Sequence, residues 1–170
     1  LDADTVVSWE LKTKYKITGY PTIIFANSKF EEITRFIGFY NLTAFEKTFK
    51  LVNKYKNIEE VITKAKTGDE SAAKILGDYY FNKKEFSESI KAYKSPYDIR
   101  RAELEQDKLN STPSKELLQK TIKEFPNSLL EMDSNIALAE MFEKNSGEFK
   151  SYWHKAIEIA ESLISKFQGR

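Results

Sequence analysis

Lys14-Tyr15-Lys16-Ile17-Thr18-Gly19-Tyr20-Pro21-Thr22-Ile23-Ile24-Phe25-Ala26 is the stretch that decides the fold. Thr22 to Ala26 is apolar without alternation, the pattern of a strand covered on both faces, and Asn27-Ser28-Lys29 behind it supplies a turn. A buried central strand is therefore expected. Past the turn, Glu31 to Gly38 carries Ile33 and Ile37 at the strand period with Arg35 between them, while Phe36 faces the other way. This predicts a second strand, nearer an edge. Proline ahead of a central strand needs a reason, because it cannot donate to a ladder. A cis Tyr20–Pro21 bond supplies one, since cis X-Pro lies only about 0.5 to 1 kcal/mol above trans.

Working outward, Asp4 to Tyr15 mixes Trp9, Leu11 and Tyr15 with Glu10, Lys12 and Lys14, a spacing that predicts a short amphipathic helix ending before Gly19. On the other side, Thr43 and Glu46 form a capping-box signature, and Phe45, Phe49, Val52 and Tyr55 follow at helical spacing. This helix is expected to run on to Ala65 and stop at Thr67-Gly68-Asp69. No strand signal returns after it. The remainder predicts three helical pairs: Ala72–Phe81 with Phe86–Tyr93, closed by Pro96; Asp98–Leu109 with Ser114–Phe125, where Thr112 caps and Pro113 opens the helix; and a third opening on Ser128 and Glu131 in capping-box register, running to about Lys144, turning at Asn145-Ser146-Gly147 and closing through Ile164. Short loops imply antiparallel neighbours. The fold class expected is α+β, a β-hairpin with flanking helices followed by an all-α domain of helical hairpins.

Lys14 to Thr22, the strand that follows, the turn, and Phe36-Ile37-Gly38 occur in an order that resembles the thioredoxin family. The resemblance covers residues 1–52 and only the C-terminal half of that fold. It implies that Pro21 is cis and that the backbone of Tyr20 pairs with an extended substrate segment, so Gly19, Tyr20, Pro21 and Thr22 form the expected substrate-binding loop. The first strand, the Cys-x-x-Cys helix and the next strand of that fold are missing, and the chain has no cysteine. Redox catalysis by this chain alone is thereby excluded, and no catalytic or metal-binding residue is expected. Gly38-Phe39 followed by Leu42-Thr43-Ala44-Phe45 is similar to periplasmic thiol:disulfide interchange proteins, which implies a periplasmic or secretory compartment.

A second resemblance, to the tetratricopeptide repeat, rests on Leu76-Gly77 with Tyr80, Phe86, Ser89 and Tyr93, and on Phe125-Pro126-Asn127 as a repeat terminus. Small residues at Gly77 and Ser89 would let two helices approach while the aromatic rings fill the space between them. A helical bundle without a groove satisfies the same hairpins. Residues 53–68 read as a helical linker and 69–170 as the repeat-like domain.

Composition bounds the partners. Lys and Arg number 27 against 26 for Asp and Glu, so no net field draws in nucleic acid or an anionic surface. No apolar run is long enough to span a membrane, and the N-terminus shows no export signal. A start at Leu1 is read as that of a fragment or a processed form. His154 is the sole histidine, so neither a His-rich metal site nor a Ser-His-Asp arrangement can be assembled from this chain. Glu31-Glu32 and Glu59-Glu60 have diverging side chains and read as solvated faces. Asn41-Leu42-Thr43 and Asn110-Ser111-Thr112 fit the glycosylation sequon by chance.

These readings give two expectations of function. One is the C-terminal portion of a thioredoxin-like thiol:disulfide oxidoreductase with a helical protein-interaction domain, acting on protein or peptide substrates without a cofactor. The other is a non-enzymatic scaffold that only binds. Because an uncovered Thr22–Ala26 edge seeks a partner, a homodimer through the incomplete sheet is expected unless the chain covers that edge itself.

Overall fold

A computed structural model of the chain describes residues 6–38, 42–110 and 113–168. The protein is mostly helical with one small antiparallel sheet, an α+β arrangement, and divides into two compact units, 1–94 and 95–170.

The first unit begins with α1 (Val6–Lys14), then β1 (Thr22–Ala26) and β2 (Glu32–Ile37). Asn27 makes the hairpin turn: its Oδ1 accepts the backbone N–H of Lys29 and of Glu31, each at 3.0 Å, and its Nδ2 donates to Glu31 Oε2 at 2.7 Å. The strands pair in register Ile23 with Phe36 and Ile24 with Arg35, with a bulge at Phe25/Ala26.

Burial runs opposite to the sequence expectation. β1 is the strand with a free edge, and Ile23 is 40% exposed, whereas Ile33, Thr34, Arg35 and Phe36 of β2 are all buried. The cause is α4 (Glu70–Asn82), which packs along β2, and whose Asn82 Nδ2 donates to the outward-facing carbonyl of Arg35 at 2.6 Å. A helix that satisfies a strand's outer carbonyl leaves the other strand as the edge. α1 also differs from expectation: Trp9 is 60% exposed, with Lys12 Nζ 5.2 Å from its ring centroid.

Against Phe25 lies α2 (Leu42–Val52), whose Phe45 and Phe49 meet its ring at 5.7 and 6.4 Å between centroids, while Phe36 meets Phe25 edge-on at 5.5 Å. This helix begins at Leu42, so Thr43 sits inside its first turn and is not the cap; Asn41 lies outside the described residues. Nor does it reach Ala65. Asn57 Oδ1 accepts Glu60 N at 2.9 Å and Glu60 Oε2 accepts Lys56 N at 2.8 Å, which starts a separate helix, α3 (Ile58–Lys66).

Gly68, at φ +97°, turns the chain into α4, and Asp69 caps it, accepting Ala72 N at 2.9 Å and the Tyr55 hydroxyl at 3.0 Å on the same oxygen. Val61, Ala72, Ala73, Ile75 and Leu76 join Phe25, Ile33 and Phe36 in one core. α5 (Phe86–Ala92) closes on α4 where Gly77 faces the ring of Tyr93, and the buried Ser89 Oγ donates to Gly77 O at 3.0 Å. A residue without a Cβ is needed there, because a Cβ would lie 2.2 Å from Tyr93 Cδ1.

The second unit holds α6 (Pro96–Asn110), α7 (Lys115–Glu124), α8 (Leu129–Glu140) and α9 (Gly147–Gln168). Pro96 opens α6 and does not close the preceding pair, its missing N–H costing nothing in a first turn. Ser114 caps α7 by accepting Leu117 N at 3.2 Å, so Pro113 precedes the cap; Thr112 lies outside the described residues. Ser128 accepts Glu131 N at 3.2 Å and Glu131 Oε2 accepts Asn127 N at 2.6 Å. α8 ends at Glu140, short of Lys144, and α9 runs past Ile164. Leu104, Leu118, Leu130 and Leu138 form the core. The buried Arg100 ties α6 to α7, donating to Thr121 Oγ1 at 3.1 Å and Glu124 Oε2 at 2.8 Å.

Two outcomes follow for stability. Gly77→Ala should destabilise the first unit by about 1–3 kcal/mol despite the better helix propensity of alanine, measured by urea unfolding. Burial, followed by the Asp69 carboxylate, pushes the Tyr55 hydroxyl up to about 12. Its folded pKa lies above its unfolded one, so its contribution is whole below pH 10, the ordinary value, and is lost as pH rises through about 12. The stability difference between the protein and its Tyr55→Phe variant should therefore shrink across that window. Asp69 is held below the usual carboxylate range by the Ala72 N–H and the Tyr55 hydroxyl, so its contribution fades only as pH falls below its ordinary value.

Candidate functional site

The loop 17–21 hangs between two fixed ends. At one end, the carbonyls of the turn that follows α1 are taken by the Arg35 guanidinium of β2, with Nη2 donating to Tyr15 O at 2.6 Å and Nη1 to Lys16 O at 3.2 Å. Glu32 Oε1 accepts Arg35 Nε at 2.7 Å, so the buried cation is paired and nearly all of its donors are used. Lys16 turns the chain out of the helix at φ +47°.

At the other end, Pro21 O accepts Gly38 N at 2.8 Å and continues the ladder one residue beyond the strands. The Tyr20–Pro21 bond is cis. Thr22 Oγ1 donates to Gly19 O at 2.6 Å, folding the loop back on itself. Gly19 stands close to β2, where a Cβ would lie 2.9 Å from Ile37 Cγ2. Of the residues singled out from the sequence, Gly19, Pro21 and Thr22 shape the loop, and Tyr20 projects from it, 62% exposed.

Antiparallel pairing fixes the direction of every backbone group in β1. Pro21 O and Asn27 N both point at β2, so Ile23 and Phe25 share that direction, and Thr22, Ile24 and Ala26 turn their N–H and C=O groups outward. Among the described residues no strand pairs with this outer edge. Beside Tyr20 there is thus a short run of backbone donors and acceptors able to take an extended segment, with Ile23 exposed next to it. The site can hold a chain but carries no thiol, and among the described residues no cluster of His, Asp and Glu could hold a metal ion.

Sequence reasoning missed Arg35 as the residue that positions the loop. Its signal was present: an arginine on the apolar period of a strand, three residues from Glu32. At the turn end of the hairpin, a cleft of about 760 Å³ opens over Phe25, Ile33, Phe49, Val52 and Tyr55, none of which was singled out as a site.

Comparison of the chain with protein families, with curated proteins and with solved structures finds no match.

Removing Arg35 leaves the half-buried Glu32 without its partner and the Tyr15 and Lys16 carbonyls without their donor. Arg35→Met should cost about 3–5 kcal/mol and raise amide hydrogen exchange over residues 15–22 more than elsewhere in the first unit.

Proposed function

We propose that this chain is a substrate-facing, thioredoxin-like module joined to helical hairpins that select protein partners. More particularly, it is the C-terminal portion of a thiol:disulfide oxidoreductase whose redox cysteines belong to a segment outside the 170 residues. The observation that carries this reading is the exposed Tyr20 set directly beside the outward backbone of Thr22 and Ile24, at the junction of a helix, a loop and an antiparallel hairpin. The order α1, loop, β1, β2, α2 supports it, as does the free edge of β1, which is where a further strand would complete the sheet. The Gly77–Tyr93 and Ser89–Gly77 contacts support a tetratricopeptide-like reading of the α4–α5 hairpin. The absence of cysteine favours a second reading, a scaffold that binds extended segments and does no chemistry.

Both readings require the loop to bind. Titrated with an unstructured, apolar polypeptide such as reduced, alkylated insulin B chain, the protein should show amide shifts concentrated at Tyr20, Thr22 and Ile24. Tyr20→Ala should weaken this binding about 10-fold. No shift at these residues overturns the site. A Cys-x-x-Cys encoded upstream, able to form mixed disulfides with the same polypeptide, selects the oxidoreductase; its absence with binding intact selects the scaffold.

A further inference from the structure

Helix α9 carries more apolar surface than its hairpin with α8 uses. Ala156 and Ile159 are buried, and Tyr152 packs on the core of Leu130 and Leu138. Phe149, Trp153, Ile157 and Ile164 form a second row farther round the helix. Trp153 is 40%, Ile157 43% and Ile164 55% exposed. The Phe149 and Trp153 rings stack at 5.7 Å with planes 11° apart, so part of this surface is preformed. Met132 and Ile136 of α8 extend it, and with α9 they enclose a shallow apolar hollow of about 110 Å³.

The charges beside the row say what covers it. At about 100° per residue, Lys150 and Glu161 fall within about 40° of Ile157, on the rim away from α8. Both are exposed, and among the described residues neither has an ion-pair partner within the chain. A two-fold axis crossing α9 midway between residues 155 and 156 sets each of them about 8 Å from the axis on opposite sides, so that Lys150 of one copy faces Glu161 of the other. The same operation brings Trp153 over Ile157 of the second copy and Phe149 towards its Ile164. Parallel packing instead sets Lys150 on Lys150 and Glu161 on Glu161, like charges that repel.

We propose that the outer row of α9 is the seam of an antiparallel homodimer, closed by two reciprocal Lys150–Glu161 pairs. This rests on the second unit alone and is independent of the redox reading.

Sedimentation equilibrium of the full chain should show a concentration-dependent monomer–dimer equilibrium. Lys150→Glu and Glu161→Lys should each weaken self-association about 10-fold, by losing two pairs and gaining repulsion. Mixed one to one, the two variants should associate with each other at least as tightly as the unaltered protein with itself, and the double variant K150E/E161K should recover self-association. Ile157→Asp should weaken it at least 100-fold, with unchanged helical circular dichroism showing that the fold survives. A chain that stays monomeric to about 1 mM, where even weak contacts register, overturns the proposal. So does a dimer indifferent to Ile157→Asp, which would assign pairing to another surface such as the β1 edge. Weakening by both single variants without rescue in the mixture also overturns it, because then the charges do not face each other.

Discussion

A buried guanidinium fixes the first unit. Arg35 is 1% exposed, and a charge at that depth is tolerated only when it is paired and its donors are used. Glu32 provides the pairing, and the carbonyls of Tyr15 and Lys16 take the remaining donors. The end of α1 is thereby attached to β2, not to the strand that follows it in sequence. The loop holding Gly19 to Pro21 then has both ends set by β2, one through Arg35 and one through Gly38. Tyr20 owes its direction to this frame.

The same strand governs what the sheet leaves open. β2 pairs with β1 on one side and on the other has its Arg35 carbonyl taken by Asn82 of α4, whereas among the described residues no strand pairs with the outer edge of β1. In a sheet of two strands, covering one outer edge decides which strand is available to a partner. In the second unit the corresponding asymmetry is apolar. α9 uses one side on α8 and keeps a second row outside, and the charges on its rim distinguish the two ways a copy could lie there.

What could be read from the residues was local. The hairpin, the turn at Asn27 and the Ser128–Glu131 cap depend on neighbours within a few positions, and they stand as expected. The break between α2 and α3 was equally local, written in Asn57 and Glu60, but the run of apolar residues through Tyr55 concealed it. The order of burial in the sheet was not legible. It depends on Asn82 reaching Arg35 across forty-seven positions, and an apolar run such as Thr22 to Ala26 looks alike whether helices cover its own edge or that of the next strand. The loop residues of the candidate site were legible as a group, whereas Arg35, which holds them, is identified only by the carbonyls it meets.

Helix α4 is fastened at both ends to structure that precedes it, through Asp69 to Tyr55 and through Asn82 to Arg35. Between those ends, Ala72, Ala73, Ile75 and Leu76 share a core with Phe25, Ile33 and Phe36. The hairpin and the loop ahead of it are therefore not a detachable cartridge. Cutting the chain after α2 would strip β2 of its cover and turn a buried aromatic layer towards water, so that recombination or engineering can move the loop to another protein only by carrying α3 and α4 along with it.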